Sequence, residues 1–177
     1  MSKQYSDYTL FLRELPVGNH RFEFDLNHDF FAQAEGREVL DGYVKVVIFT
    51  IKRADSVALQ LVYKGTVDVA CDRCLHPVSI PIDTEEALTV KFGATYSEQN
   101  DDVIVIPEAE GTLDMAWLFY ECIVLTLPTQ RIHADGACNT EMMTCYNRYV
   151  VNSSANRNEN KADPRWEALR NMNNNLK

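Results

Sequence analysis

The sequence predicts an α+β domain: an antiparallel β-rich sheet or partial barrel, with one packed apolar helix and a flexible C-terminal tail. Residues 39–51 and 57–69 are rich in β-branched and aromatic residues and flank a short polar turn, which predicts two long antiparallel strands. After Pro107 the apolar spacing changes to that of a helix, which we expect over residues 114–127 and which Pro128 ends. This helix is apolar on nearly all sides and should therefore pack across the sheet.

Shorter β segments surround the central pair of strands. Residues 20–26 alternate between polar and apolar, as a half-buried strand does, and Asn27 can cap a short helix directly after them. Residues 78–82 and 87–92 continue the β pattern. Two prolines in this part indicate a sheet edge or a bend, because proline cannot donate a hydrogen bond to a neighbouring strand.

The segments beyond residue 96 are less regular. Residues 97–102 predict a polar acidic loop, and residues 103–106 predict a short strand. After the main helix we expect a loop over residues 129–136, which contains His133, and a short helix over residues 139–149.

A change of composition near residue 150 predicts the domain organisation. We expect a β-rich domain over residues 1–150, followed by a linker and a short C-terminal helix over residues 151–177. The linker is an Asn- and Ser-rich stretch. Asp163 and Pro164 form the usual start of a helix, an N-cap followed by proline at the first helical position.

The charge of the chain is acidic and unevenly distributed. The formal net charge is -9. From Val151 onward, the chain has five basic and three acidic residues, so the tail carries +2 and the remainder of the chain -11. Such a body repels nucleic-acid phosphates and suits a partner with a basic surface, such as a ribosomal protein, although the charge can equally serve solubility alone.

Targeting and catalytic signals are sparse. The first eight residues are polar and contain no apolar signal-peptide core, and no apolar stretch is long enough to cross a bilayer, so we expect a cytoplasmic protein without membrane contact. No nucleophile elbow, phosphate-binding loop, dinucleotide fingerprint or HExxH motif is present. We therefore expect no enzymatic activity and no catalytic residues.

Cys71 and Cys74 form a C-x-x-C pair between two predicted strands. One interpretation is half of a zinc site completed by Cys138, Cys145 or His133, and we name the four cysteines other than Cys122 as the candidate ligands. A second interpretation is a redox pair, which is disfavoured because no helix begins after the motif to lower a thiol pKa. The third is a turn closed by two small protonated side chains, with no cofactor.

Several stretches of the sequence resemble one known family. They read GNHRFEF at 18–24, FF at 30–31, GTVDVACDRCL at 65–75, LTLP at 125–128 and DPRWEAL at 163–169. Together they resemble the YceD family, the large ribosomal RNA subunit accumulation proteins. Many members of that family carry closely spaced cysteine pairs after the main helix, whereas here only Cys138 fits such a position and no close pair forms.

The resemblance implies a non-enzymatic accessory role in the accumulation or processing of large-subunit ribosomal RNA. We expect the chain to act by binding a ribosomal protein, another assembly factor or the RNA itself. The expected binding surfaces are the turn and the tail, namely Cys71, Asp72, Arg73, Cys74 and Leu75, with Asp163, Pro164, Arg165 and Trp166. The alternative function is a structural zinc-binding or thiol-redox protein that uses the Cys71/Cys74 turn.

Overall fold

The computed structural model describes residues 8–34, 36–100 and 102–150. The strands are β1 (Thr9–Phe11), β2 (Gly18–Leu26), β3 (Val39–Lys52), β4 (Ser56–Ala70), β5 (Pro77–Gly93), β6 (Ser97–Asn100), β7 (Val103–Pro107) and β8 (Thr112–Asp114), and the helices are α1 (His28–Gln33), α2 (Ala116–Thr126) and α3 (Thr140–Tyr149). This mostly β architecture with a packed helix confirms the predicted α+β class.

In the described part of the chain, six strands form one open sheet in the order β2-β3-β4-β5-β7-β6, and β1 pairs with β8 in a separate ribbon. β3 and β4 are antiparallel, with Phe49 opposite Gln60 and Lys52 opposite Val57. This hairpin confirms the central pair of strands. The sheet is mixed, because β5 and β7 run parallel to one another.

The two β segments expected at 78–82 and 87–92 are parts of the single strand β5. Residues 77–91 of this strand pair with β4, but it pairs with β7 only from Thr89 to Gly93. The described residues therefore leave the first part of β5 as a sheet edge, and Pro77 and Pro81 both lie there. This placement agrees with the rule that proline occurs where no donor to a neighbouring strand is needed.

Alternating burial divides the sheet into a covered and an exposed face. Along β3, Val44, Val46 and Ile48 are fully buried, whereas Phe49 and Ile51 are about half exposed. Successive side chains of a strand point to opposite faces, so one face carries the core and the other meets solvent. The helices α1 and α2 cover the buried face, and their apolar residues join the same core as the strands.

The helix α2 ends as expected at the residue before Pro128, with Leu127 as its C-cap. At its start, the Ala116 N–H donates to Asp114 Oδ1 at 2.9 Å, so Asp114 satisfies one free backbone donor. Phe119 and Ile123 are fully buried, and the Phe119 ring lies 6.2 Å from the ring of Tyr63 on β4. The expectation that this helix packs on the sheet is confirmed.

Two elements differ from the expectations. Residues 97–102 were expected as a loop, but Ser97–Asn100 is the edge strand β6, which pairs with β7. The short strand β1 lies in a stretch without apolar periodicity and exists because it pairs with β8. β1 depends on hydrogen bonds to distant backbone and β6 depends on hydrogen bonds to the strand that follows it, and neither leaves an apolar pattern in the sequence.

Contacts divide the chain into two units, Met1–Met143 and Thr144–Lys177. Every site considered below lies in the first unit. The linker and helix expected over residues 151–177 lie outside the described residues and stay predictions. Among the described residues, no helix is both long enough and apolar enough to cross a membrane.

Candidate functional site

The Cys71–Cys74 segment connects β4 to β5 in a tight turn. The Cys71 N–H donates to the His76 carbonyl at 2.9 Å, and the Leu75 N–H donates to the Cys71 carbonyl at 2.9 Å. Leu75 adopts φ 61°, a left-handed conformation that costs a residue with a Cβ roughly 1–2 kcal/mol. The turn is therefore held in one conformation, which directs both cysteine side chains inward, where they are fully buried.

A second segment, between α2 and α3, lies against this turn. The Asp72 N–H donates to the Arg131 carbonyl at 2.8 Å, and the Arg131 N–H donates to Asp72 Oδ2 at 2.7 Å. This reciprocal pair joins residues that are 59 positions apart in the chain. It brings His133 and Cys138 to the cysteine turn.

Four potential ligand atoms converge there. The ligand atoms of Cys71, Cys74, His133 and Cys138 all lie within 4.8 Å of one another. His133 Nδ1 is 3.5 Å from Cys74 Sγ and 3.9 Å from Cys138 Sγ. Cys71 and Cys74 are buried, and His133 and Cys138 are partly buried. We call these four residues the cysteine-histidine cluster.

A hydrogen bond from Nε2 orients the imidazole ring of His133. Nε2 lies 3.0 Å from the Pro77 carbonyl oxygen. A carbonyl only accepts, so Nε2 must carry a proton and donate it. In a neutral imidazole this leaves the Nδ1 lone pair pointing at the sulfur atoms.

The turn also favours negative charge on Cys71. Burial opposes ionisation of this thiol, but N–H groups of Cys74, Arg73 and His133 donate to the sulfur and lower its pKa to about 6. The hydrogen bond to Cys71 raises the pKa of His133. Burial, together with the sulfurs of Cys74 and Cys71, raises the pKa of Cys138. The surroundings therefore favour the thiolate form of Cys71 and disfavour that of Cys138.

Three of the four expected zinc ligands, Cys71, Cys74 and Cys138, belong to this cluster. Cys145 is exposed on α3 and is not a member, and His133 occupies the fourth position. His133 was an open alternative at the level of sequence, and the signal for it was its short separation from Cys138. Cys122 is partly buried on α2 and packs against the core.

The expected binding surfaces have mixed accessibility. Within the turn, Asp72 and Leu75 are exposed and Arg73 is partly exposed, whereas Cys71 and Cys74 are inaccessible to a partner. Asp163, Pro164, Arg165 and Trp166 lie outside the described residues. Their role in binding stays a prediction.

A second candidate surface was not found from the sequence. Two adjoining depressions between α2 and the neighbouring strands share Glu98, Leu118 and Glu121 in their lining. Their carboxylates come from β5, β6, the loop before β8, β8 itself and α2: Glu86, Glu98, Glu110, Asp114 and Glu121. All five are exposed. We call this surface the acidic groove.

The acidic groove also contains apolar anchors and lacks basic lining residues. Trp117 is 59% exposed and Leu125 is 79% exposed, and both line it. Of the described residues that line the two depressions, none is Lys, Arg or His. Glu98 accepts a hydrogen bond from Tyr96 at 2.8 Å, which, together with burial, raises the pKa of Tyr96 to about 12. The groove therefore combines negative charge with exposed apolar side chains.

Glu86 shows why this surface was missed. It follows Glu85 directly in sequence, and two adjacent carboxylates give no local signal that one of them belongs to a groove. On β5, however, Glu86 shares the face of Leu88 and Val90, opposite Leu61 on β4, and therefore lies beside α2. Burial and the nearby Glu86 carboxylate raise the pKa of Cys122 on α2 to about 11.

The described residues thus form a β-rich domain with one covered sheet face, a cysteine-histidine cluster and an acidic groove. Its sequence matches the family model of the large ribosomal RNA subunit accumulation protein YceD over residues 59–173, about two thirds of the chain. The chain belongs to the YceD family. Neither the curated proteins nor the solved structures yield a match.

The family description concerns the accumulation of large-subunit ribosomal RNA and states no reaction. The matched residues include most of β4, the cysteine-histidine cluster, α2 and the whole acidic groove. They exclude β1, β2, α1 and β3. Both candidate surfaces therefore lie in the part of the chain that defines its membership of the family.

Proposed function

We propose that this protein is a non-enzymatic accessory factor of ribosome biogenesis, which supports accumulation of large-subunit ribosomal RNA by binding a basic ribosomal protein. The family match supports the process, and the acidic groove supports the mode of action. The proposed location is the cytoplasm, where ribosomal precursors of this kind are assembled.

The occupant proposed for the groove is a basic protein segment, because the two chemistries are complementary. The carboxylates of Glu86, Glu98 and Glu121 attract Lys and Arg and increase the rate of association. The exposed ring of Trp117 offers a face to a guanidinium group, and Leu125 offers apolar surface to the alkyl stem of such a side chain. RNA fits this groove poorly, because its phosphates would face carboxylates.

A deletion strain tests the process. Loss of the gene should lower the amount of mature large-subunit ribosomal RNA relative to small-subunit RNA, and the wild-type gene should restore it. Normal RNA levels in the deletion strain, together with no co-sedimentation of the protein with ribosomal precursors, would refute the proposed process.

Matched charge reversals test the groove. The variant Glu86→Lys/Glu121→Lys should fail to restore RNA levels and should lose the captured basic protein. The control Asp83→Lys/Glu85→Lys makes the same change in net charge on exposed residues of β5 that point to the opposite face of the sheet. Equal failure of both variants, with both folded, would contradict a role for the groove.

Affinity purification at two ionic strengths identifies the partner. Attraction between the groove and a basic segment is screened by salt, so capture should decrease between low and physiological ionic strength. Capture that survives ribonuclease treatment supports a protein partner. Capture that ribonuclease abolishes would instead assign the contact to RNA and would refute the proposed mode of action.

A further inference from the structure

We propose that Cys71, Cys74, His133 and Cys138 bind one zinc ion in a closed structural site. Four ligand atoms, three sulfurs and one imidazole nitrogen, converge within 4.8 Å. Three cysteines and one histidine form one of the usual ligand sets of structural zinc sites. This site is independent of the function proposed above.

The observed separations fit tetrahedral zinc. Bond lengths of about 2.3 Å to sulfur and about 2.0 Å to nitrogen place two ligand sulfurs about 3.8 Å apart, and a sulfur and a nitrogen about 3.5 Å apart. His133 Nδ1 lies 3.5 Å from Cys74 Sγ and 3.9 Å from Cys138 Sγ. The two nitrogen–sulfur separations are therefore close to those of a tetrahedral ion, and the remaining ligand atoms lie within 4.8 Å of one another, so small side-chain movements bring all four to bonding distance.

The orientation of His133 supplies an independent argument. A metal-binding histidine commonly donates its second N–H to a backbone carbonyl or a carboxylate, which sets its tautomer and orients the ring. His133 Nε2 lies 3.0 Å from the Pro77 carbonyl, at the first residue of β5. This contact holds Nδ1 toward the three sulfurs, where the lone pair of the neutral imidazole is available to a metal ion.

The chemistry of the cluster favours zinc in a structural role. Thiolates and imidazole select zinc over hard cations such as magnesium and calcium, which prefer oxygen ligands. Four protein ligands fill a tetrahedral shell and leave no position for water or substrate. Cys71 and Cys74 are fully buried, so a thiol or disulfide partner has no access to their sulfurs for exchange.

The ion would connect two segments that are far apart in sequence. Cys71 and Cys74 lie in the β4–β5 turn, and His133 and Cys138 lie in the irregular segment between α2 and α3. The backbone pair of Asp72 with Arg131 also joins these segments. Removal of zinc should therefore loosen residues 132–138 while the six-stranded sheet stays folded.

Elemental analysis of the full chain, purified without chelator, tests the site. We expect about one zinc per chain. Cys138→Ser and His133→Ala should each lower the retained zinc at least tenfold after dialysis. Cys145→Ser and His76→Ala are the matched controls, because these exposed residues lie outside the cluster, and both should retain zinc.

Cobalt binding to the wild-type chain keeps the test decisive if a variant fails to fold. Cobalt added to metal-free protein should give the intense visible absorption of a tetrahedral thiolate complex, saturate at one equivalent and be displaced by zinc. Absence of zinc in the purified protein together with a weak octahedral cobalt spectrum would overturn the proposal. A reversible Cys71–Cys74 disulfide in metal-free native protein would also overturn it, in favour of a redox pair.

Discussion

Replacing Phe119 by alanine should remove an aromatic contact between α2 and the sheet. Its side chain is fully buried, and the rings of Tyr8, Phe24 and Tyr63 lie at centroid distances of 6.3, 5.4 and 6.2 Å. A buried Phe-to-Ala change costs about 3–5 kcal/mol, because apolar contacts are lost and a cavity remains. We expect a loss near the upper end of this range, since three aromatic rings lose their contact with Phe119.

Trp117→Ala is the matched control on the same helix. The Trp117 side chain is 59% exposed, and its ring lies 6.0 Å from that of Tyr120. Little buried area is lost, so the free energy of unfolding should fall by less than about 1 kcal/mol. Trp117→Ala should weaken binding of the basic partner more than Phe119→Ala does, because Trp117 lines the acidic groove and Phe119 does not.

Urea unfolding at equilibrium measures the two changes. With a slope of about 2 kcal/mol per molar, a loss of about 4 kcal/mol lowers the transition midpoint by about 2 M. Phe119→Ala should shift the midpoint by roughly this amount without a change of slope, and Trp117→Ala should shift it by less than about 0.5 M. A smaller shift for Phe119→Ala than for Trp117→Ala would refute this account of how α2 is held.

Two further substitutions test local interactions. Tyr120→Phe removes the hydroxyl that donates to Glu38 at 3.1 Å. Backbone N–H groups and this hydroxyl hold the pKa of Glu38 below 4.5, so the pKa of Glu38 should rise in the variant. An unchanged Glu38 midpoint in an NMR titration would contradict the contact. Since that pKa is lowered on folding, its stabilising effect is lost as the pH falls through it, and the variant should lose less stability in acid. Gly65→Ala should destabilise the domain by about 2 kcal/mol, because a Cβ there would meet the Tyr43 carbonyl oxygen, whereas the exposed neighbour change Lys64→Ala should have little effect in the same urea assay.

Local sequence patterns were sufficient to predict the strands and the helix that pack regularly spaced apolar residues into the core. The β-branched and aromatic residues of β3 and β4 and the nearly continuous apolar surface of α2 lie close together in sequence, and the strands and the helix predicted from them are confirmed. β6 was not predictable in this way. Ser97–Asn100 contains no apolar residue, and it is a strand because its backbone pairs with β7.

The sequence by itself determined the β-rich class, the turn at Cys71–Cys74, the packed helix and the resemblance to the YceD family. Only the tertiary structure decided that His133 and not Cys145 joins Cys71, Cys74 and Cys138. The reason is physical: which side chains meet depends on the path of the chain after α2, and the hydrogen bonds between Asp72 and Arg131 fix that path across 59 positions. The acidic groove has the same origin, since its carboxylates come from separate elements and meet only when α2 packs on the sheet.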